Sequence, residues 1–213
     1  IAIQYWSQAL QPQEVDFITN AWNSLLDDSN CGKIHRFDKQ SARSFISKHQ
    51  PQLLKAFDTA FHYAIEADIF RIAFALSHNC IWIDSDAFPT SKTKSIIERG
   101  ITSASATLLL RWHKPWITNA FFITPKGNSF FVELAKRREE YSFEDKKQTR
   151  DEVFSSFGPG HYNATVETIT SWKSSDLDKF QLQFVNDYCG IRLHPYARLN
   201  YKKTNQSWQV ALQ

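Results

Sequence analysis

The apolar positions of this chain alternate between two spacings. Residues 1–6, Ile1-Ala2-Ile3-Gln4-Tyr5-Trp6, are a short run of β-forming types and predict a first strand that runs into a loop. After Gln11-Pro12-Gln13-Glu14 the spacing becomes three and four. Val15, Ile18, Ala21, Trp22 and Leu25 then share one helical face, with the proline suited to the first turn. Asp27-Asp28-Ser29-Asn30 predicts a turn, and residues 33–37 a short strand. A long helical region is expected over residues 41–78, divided at Pro51, which has no amide hydrogen to give the helix.

Ile81-Trp82-Ile83 is apolar, rich in β-propensity and too short for a helix, so it reads as a buried strand. A polar helix is expected over 92–99, and strands over 107–112 and 117–123, the second ended by Pro125-Lys126-Gly127. Asn128 suits the cap of a helix over 129–141, followed by an exposed charged stretch over 137–152. Phe157-Gly158-Pro159-Gly160-His161-Tyr162-Asn163 reads as a turn opening a helix that runs to about Trp172. Strands are expected over 182–185 and 191–194, and the chain closes on a polar tail with one large aromatic, Trp208. Strands interleave with helices throughout, without repeats, which predicts α/β or mixed α+β architecture in a single domain over 1–213.

The chemistry concentrates behind the strand at 81–83. Asp84-Ser85-Asp86 follows it at once, and Ala87-Phe88-Pro89 then stops regular structure. Two carboxylates at the mouth of a sheet repel one another and lose solvation, so they favour a cation. Hard oxygen donors suit Mg²⁺ or Mn²⁺, ions that commonly accompany phosphate. A second Asp-x-Asp, Asp176-Leu177-Asp178, has no strand before it and reads as solvated loop. Upstream, Asp68 and Arg71 stand three apart in the apolar run 67–76, on one helical face, where buried charges need a reason. Asn119, inside an apolar strand, needs hydrogen-bond partners of its own.

Composition narrows the classes. At 213 residues the chain can bury a sizeable core. A net charge of +3 is too small to argue for nucleic acid. Cys31, Cys80 and Cys189 are odd in number and widely spaced, as expected of reduced thiols in a cytoplasmic protein. No apolar run is long enough to span a membrane, and no signal sequence opens the chain. With no methionine at all, the sequence reads as a processed or excised piece. Sequence motifs for P-loops, dinucleotide folds, zinc proteases and serine hydrolases are missing.

These pieces, in this order, resemble the DXD-containing sugar transferases of the GT-A fold. The nearest are the family of yeast-type α-mannosyltransferases and clostridial toxin glucosyltransferases. The family's Asp-x-x-Arg is matched by Asp68 and Arg71, and Arg71 stands thirteen residues before Asp84, as the family spacing requires. Trp82 matches the aromatic two before that aspartate, Asn119-Ala120-Phe121 the Asn-led strand, and Gly158-Pro159-Gly160 the Gly-Pro-Gly turn. Tyr5-Trp6 matches the aromatic pair of the first strand, and Ser207-Trp208 the closing Ser-Trp. The chain departs in having Asn79-Cys80 where the family has Gly-Gly, and Lys202, Lys203 and Thr204 near the place of a family histidine.

The resemblance implies a GT-A-like, Rossmann-like mixed sheet flanked by helices. It implies an enzyme moving a hexose or deoxyhexose from a UDP-sugar to a glycan or protein acceptor, with Mn²⁺ or Mg²⁺ and retention of configuration, as a monomer. Catalysis would fall to Asp68, Arg71, Asp84, Asp86 and Asn119. The donor would meet Gln4, Tyr5, Trp6, Asp68, Arg71, Trp82, Asp84, Ser85, Asp86, Ser207 and Trp208, with Trp6 stacking on the uracil. The metal would be held by Asp84 and Asp86 with Asn205 and Ser207. Two other readings remain open to the sequence: a haloacid-dehalogenase-type phosphatase, which also ends a strand in Asp-x-Asp, and a non-catalytic carbohydrate-binding module, suggested by seven tryptophans.

Overall fold

A computed structural model describes residues 1–7, 11–103, 106–113, 116–170, 173–186, 191–193 and 199–204. The first strand, β1 (Ala2–Tyr5), is followed by helix α1 (Gln13–Asp28) and strand β2 (His35–Phe37). Pro12 sits just before α1, and the helix runs on through Asp27 and Asp28, two residues expected in the turn. Its buried face is Val15, Ile18, Thr19, Trp22 and Leu26, so Leu26 replaces Leu25 on the inner side.

The long helical region is four pieces. Helix α2 (Lys39–His49) is opened by a reciprocal cap between Asp38 and Ser41. A 3-10 turn at Pro51–Leu53 and the short α3 (Leu54–Asp58) follow, then α4 (Tyr63–Ser77). Pro51 ends α2 as expected; the second break, at 59–62, has no proline or glycine to announce it.

Strand β3 (Cys80–Ile83) leads into the Asp-x-Asp, and β4 (Ala87–Pro89) comes next. Ala87-Phe88-Pro89 is thus itself a short strand, and the proline is its last residue. The remaining elements are α5 (Thr93–Thr102), β5 (Thr107–His113), β6 (Trp116–Thr124), α6 (Ser129–Lys136), α7 (Arg150–Ser156), α8 (Pro159–Thr170), α9 (Ser174–Lys179), β7 (Leu182–Asn186) and β8 (Ile191–Leu193). Asp176 and Asp178 lie on α9, in a helix where the sequence suggested a loop. Trp172, expected at the end of α8, and Cys189 lie outside the described residues.

The main sheet has the order β2-β1-β3-β6-β5-β7. Strands β2, β1 and β3 run parallel, β6 is antiparallel to both neighbours, and β7 is parallel to β5. A second small sheet pairs β4 with β8. Alternate residues face opposite sides. On one side Ile3, Trp82, Leu109 and Phe122 join a core with residues of α2, α4, α6 and α8. On the other, Ala2, Ile81, Ile83, Phe121 and Ile123 join one with α1 and α5. The outcome is the mixed sheet flanked by helices that the sequence predicted. Among the described residues, no helix is long and apolar enough to cross a membrane. Cys31 and Cys80 are free thiols, the second buried and pushed up to about 12 by burial.

Candidate functional site

Chain geometry explains the spacing between Asp68, Arg71 and Asp84. Helix α4 runs back along the sheet and turns at 78–79 into β3. Asp68 is nine residues before Ser77, roughly 13 Å at a helical rise. Asp84 is four residues beyond Cys80, again roughly 13 Å at a strand rise. The two carboxylates therefore arrive at the same edge of the sheet. Strand β6 returns antiparallel, with Ile83 opposite Phe121 and the Asp84 amide donating to the Ala120 carbonyl (2.8 Å). That register brings Asn119 to the same edge.

The side chains interlock there. Arg71 pairs with Asp68 (2.8 Å) and Asp84 (3.1 Å), donates to the Asn119 carbonyl, and lies over the Trp82 ring at 4.5 Å. Asn119 Nδ2 donates to Asp68 Oδ1 (2.8 Å), which settles the polar partner its apolar strand demanded. The Trp82 indole N–H donates to Asp84 Oδ1 (2.7 Å). Asp68, Arg71, Asn119 and Trp82 are all buried, whereas the side chains of Asp84 and Asp86 remain 25% and 21% exposed. The first four form a floor, and the two Asp-x-Asp carboxylates open from it.

Asp86 has a counter-ion of its own. Lys202 Nζ lies 2.7 Å from Asp86 Oδ2. Lys202 belongs to a 3-10 turn, Asn200–Lys203, that several contacts fasten to the body. The Asn200 amide donates to both Glu14 oxygens (3.0 and 3.1 Å), and its side chain donates to Oε1 (2.6 Å). Tyr201 is buried, with its ring edge-on to Trp6 at 5.7 Å.

The charges divide the carboxyls. Burial drives Asp68 up to about 7, outweighing the pull of Arg71. Burial also raises Asp84, against Arg71. For Asp86 burial pushes up too, but the charge and hydrogen bond of Lys202 prevail and the shift is downward. Burial disfavours the Lys202 ammonium, yet Asp86 and Tyr201 raise it overall.

The other residues singled out in the sequence are spread around this edge. Gln4 is fully buried, and its Oε1 accepts from Arg36 (3.1 Å) and Thr19 (3.4 Å). The Tyr5 hydroxyl donates to Glu66, inside the core. Trp6 is half-buried, and its indole N–H has no partner among the described residues. Ser85 lies between the two aspartates, half-buried. Gly158 abuts the floor: a Cβ there would lie 2.6 Å from the Val153 carbonyl, 2.8 Å from that of Phe154 and 3.2 Å from Asp68 Oδ2. Asn205, Ser207 and Trp208 lie outside the described residues.

Two contributors carried no motif. Lys202 reaches Asp86 from 116 positions away (202 less 86) only because Glu14 and the Tyr201 pocket fix the turn. Tyr162, fully buried beside Arg71, has a hydroxyl without a partner among the described residues, and burial raises its pKa. Only the departure from the family histidine drew attention to the lysine neighbourhood.

As donors, Asp84 and Asp86 fit a hard divalent cation. Each keeps a second oxygen beyond the one used by Arg71, Trp82 or Lys202, and each is open to solvent. No group of three or more His, Cys, Asp or Glu side chains gathers for a metal among the described residues. A metal there would therefore need oxygens from elsewhere, such as those of a bound diphosphate.

No protein-family model matches the chain, and no curated protein sequence does. Solved structures do. PaToxG glycosyltransferase is similar at a TM-score of 0.56 and 12% identity, over 98% of this chain and 84% of that one. A glycosyltransferase involved in glycosylation of the major capsid of PBCV-1 follows at 0.41 and 11%, over 88% and 82%. A putative glucose-1-phosphate thymidylyltransferase from Bacillus anthracis gives 0.38 and 12%, over 87% and 85%. The first similarity establishes the architecture as that of a GT-A-like glycosyltransferase fold. The other two are too distant for their geometry to bear on this chain.

Proposed function

We propose that this chain is a nucleotide-sugar glycosyltransferase, moving a hexose or deoxyhexose from a UDP-sugar to a glycan or protein acceptor with retention of configuration. One observation carries the reading. On a glycosyltransferase-like fold, a buried Asp68–Arg71 pair lies at the C-terminal edge of β3, and the carboxylates of Asp84 and Asp86 open from it. Ligands of open α/β sheets bind at such edges.

In the reaction the bond between the sugar's anomeric carbon and the β-phosphate oxygen breaks, and its electron pair leaves with the diphosphate. The acceptor oxygen bonds to that carbon on the face the diphosphate left and gives its proton to the departing phosphate oxygen. Mn²⁺ or Mg²⁺, held by Asp86 with Asp84 acting through water or the ribose, and completed by Asn205 and Ser207, would supply Lewis-acid charge for the diphosphate. Asp68 and Arg71 form the floor under the sugar and hold its hydroxyls. Asn119 positions Asp68 through its Oδ1, and Trp82 positions Asp84 through its Oδ1. Trp6 offers the uracil an indole at the end of β1. Trp208 closes over the phosphates with its indole N–H, a donor only. The fastened turn at Asn200–Lys203, immediately before the tail, supports that placement.

Calorimetric titration of UDP in Mn²⁺ and again in EDTA tests the proposal. Binding in Mn²⁺ that weakens strongly in EDTA is expected. Equal affinity in both would remove the metal, and no binding in either would remove the nucleotide.

A further inference from the structure

The two Asp-x-Asp carboxylates have counter-ions of different kinds. Arg71, on Asp84, is 4% exposed and tied also to Asp68, the Asn119 carbonyl and the Trp82 face. It cannot leave without breaking the floor. Lys202, on Asp86, makes one ion pair among the described residues, with its ammonium 5.3 Å from the centre of the neighbouring Tyr201 ring and its side chain 18% exposed. Its turn is fastened independently of the ammonium as well, through Asn200 and Tyr201. The flexible four-carbon stem can thus swing while the backbone stays fixed.

Resting on the donor reading above, we propose that Lys202 is a resident, exchangeable counter-ion that competes with the divalent ion for Asp86. It holds the carboxylate while the site is empty and moves to the diphosphate when metal and nucleotide arrive together. Three carboxylates, Asp68, Asp84 and Asp86, face two cations, Arg71 and Lys202, in this cluster. A divalent ion on Asp86 would be repelled by the ammonium that lies 2.7 Å from its Oδ2. The ammonium therefore needs another anion nearby, and a diphosphate brings one. Metal alone should bind poorly, and metal with diphosphate well. Such a site does not hold a loose metal before its donor arrives.

The test uses the full chain and Mn²⁺ alone, with free Mn²⁺ read by electron paramagnetic resonance. Lys202→Met, and Lys202→Gln as a second variant that can still hydrogen-bond Asp86 without charge, should bind Mn²⁺ on the order of tenfold more tightly than the wild type. Both should bind UDP in saturating Mn²⁺ on the order of tenfold more weakly. Lys202→Arg, which keeps the charge, should follow the wild type in the first assay. Mn²⁺ affinity unchanged or weakened in the neutral variants would overturn the exchange while leaving the donor reading intact. So would UDP binding that is indifferent to losing Lys202. A wild type that binds no UDP overturns the donor reading itself, and the exchange with it.

Discussion

Replacing Arg71 with methionine should be one of the costliest single changes in this chain. The substitution keeps an apolar stem of similar length but deletes the ion pairs to Asp68 (2.8 Å) and Asp84 (3.1 Å), the bond to the Asn119 carbonyl and the cation over Trp82. Asp68, 5% exposed, is then left with the Asn119 amide as its remaining hydrogen-bond donor among those observed. Removing one partner of a buried pair typically costs about 3–5 kcal/mol, because the other charge stays behind unpaired. For a domain of this size that lowers the melting temperature by roughly 6 to 20 °C.

The loss should depend on pH. Asp68 already stands near 7 with Arg71 present. Without the guanidinium it rises further. A carboxyl raised on folding contributes most stability below its unfolded value and loses it as pH climbs through its folded value. The variant should therefore lose more than the wild type between about pH 5.5 and pH 8. Chemical denaturation at both pH values measures this. Adding Asp68→Asn to Arg71→Met should recover part of the loss, since the unpaired charge is gone. A loss below about 1 kcal/mol at the higher pH, the scale of a surface pair, would show that the cluster is solvated and refute the reasoning.

Three further outcomes are expected. Asp86→Asn should fold normally but bind UDP with Mn²⁺ much more weakly, by calorimetry; undiminished affinity would take Asp86 out of the site. Gly158→Ala puts a Cβ 2.6 Å from the Val153 carbonyl and 2.8 Å from that of Phe154, so it should cost about 1–3 kcal/mol in denaturant melts. A chain ending at Thr204 keeps the Lys202–Asp86 and Asn200–Glu14 contacts. It should melt like the full chain yet lose affinity for UDP with Mn²⁺; unchanged binding would remove Asn205, Ser207 and Trp208 from the proposed site.

Much of this architecture was legible because strong local signals agree with the tertiary outcome. Ile81 to Ile83 read as a buried strand, and the spacing of Asp68 and Arg71 placed them on one helical face. What the sequence hid is what depends on distant backbone. The break between α3 and α4 has no glycine or proline, so only packing sets it. Strand β4 exists because β8 pairs with it from more than a hundred residues away. Asp176 and Asp178 looked like loop because their segment is polar, but polar residues continue a short helix as readily. At the site, Asn119 was visible as an amide in an apolar strand, though not that its side chain serves Asp68. Lys202 has no local mark, since its role comes from Glu14 and Tyr201 holding its turn.

On the function proposed above, the cluster of Asp68, Arg71, Asp84 and Asp86 would bind a nucleoside diphosphate sugar. Thermal shift of the full chain against UDP, GDP and a panel of their sugars, each with Mn²⁺ and with EDTA, tests it most directly. A ligand at about a hundred times its Kd adds about 2.7 kcal/mol, or roughly 5 to 11 °C for a domain of this size. A shift of that order with a UDP-sugar and Mn²⁺, lost in EDTA and in Asp86→Asn, is the expected result. A chain whose melting no nucleotide or nucleotide sugar moves, with or without metal, would contradict the account.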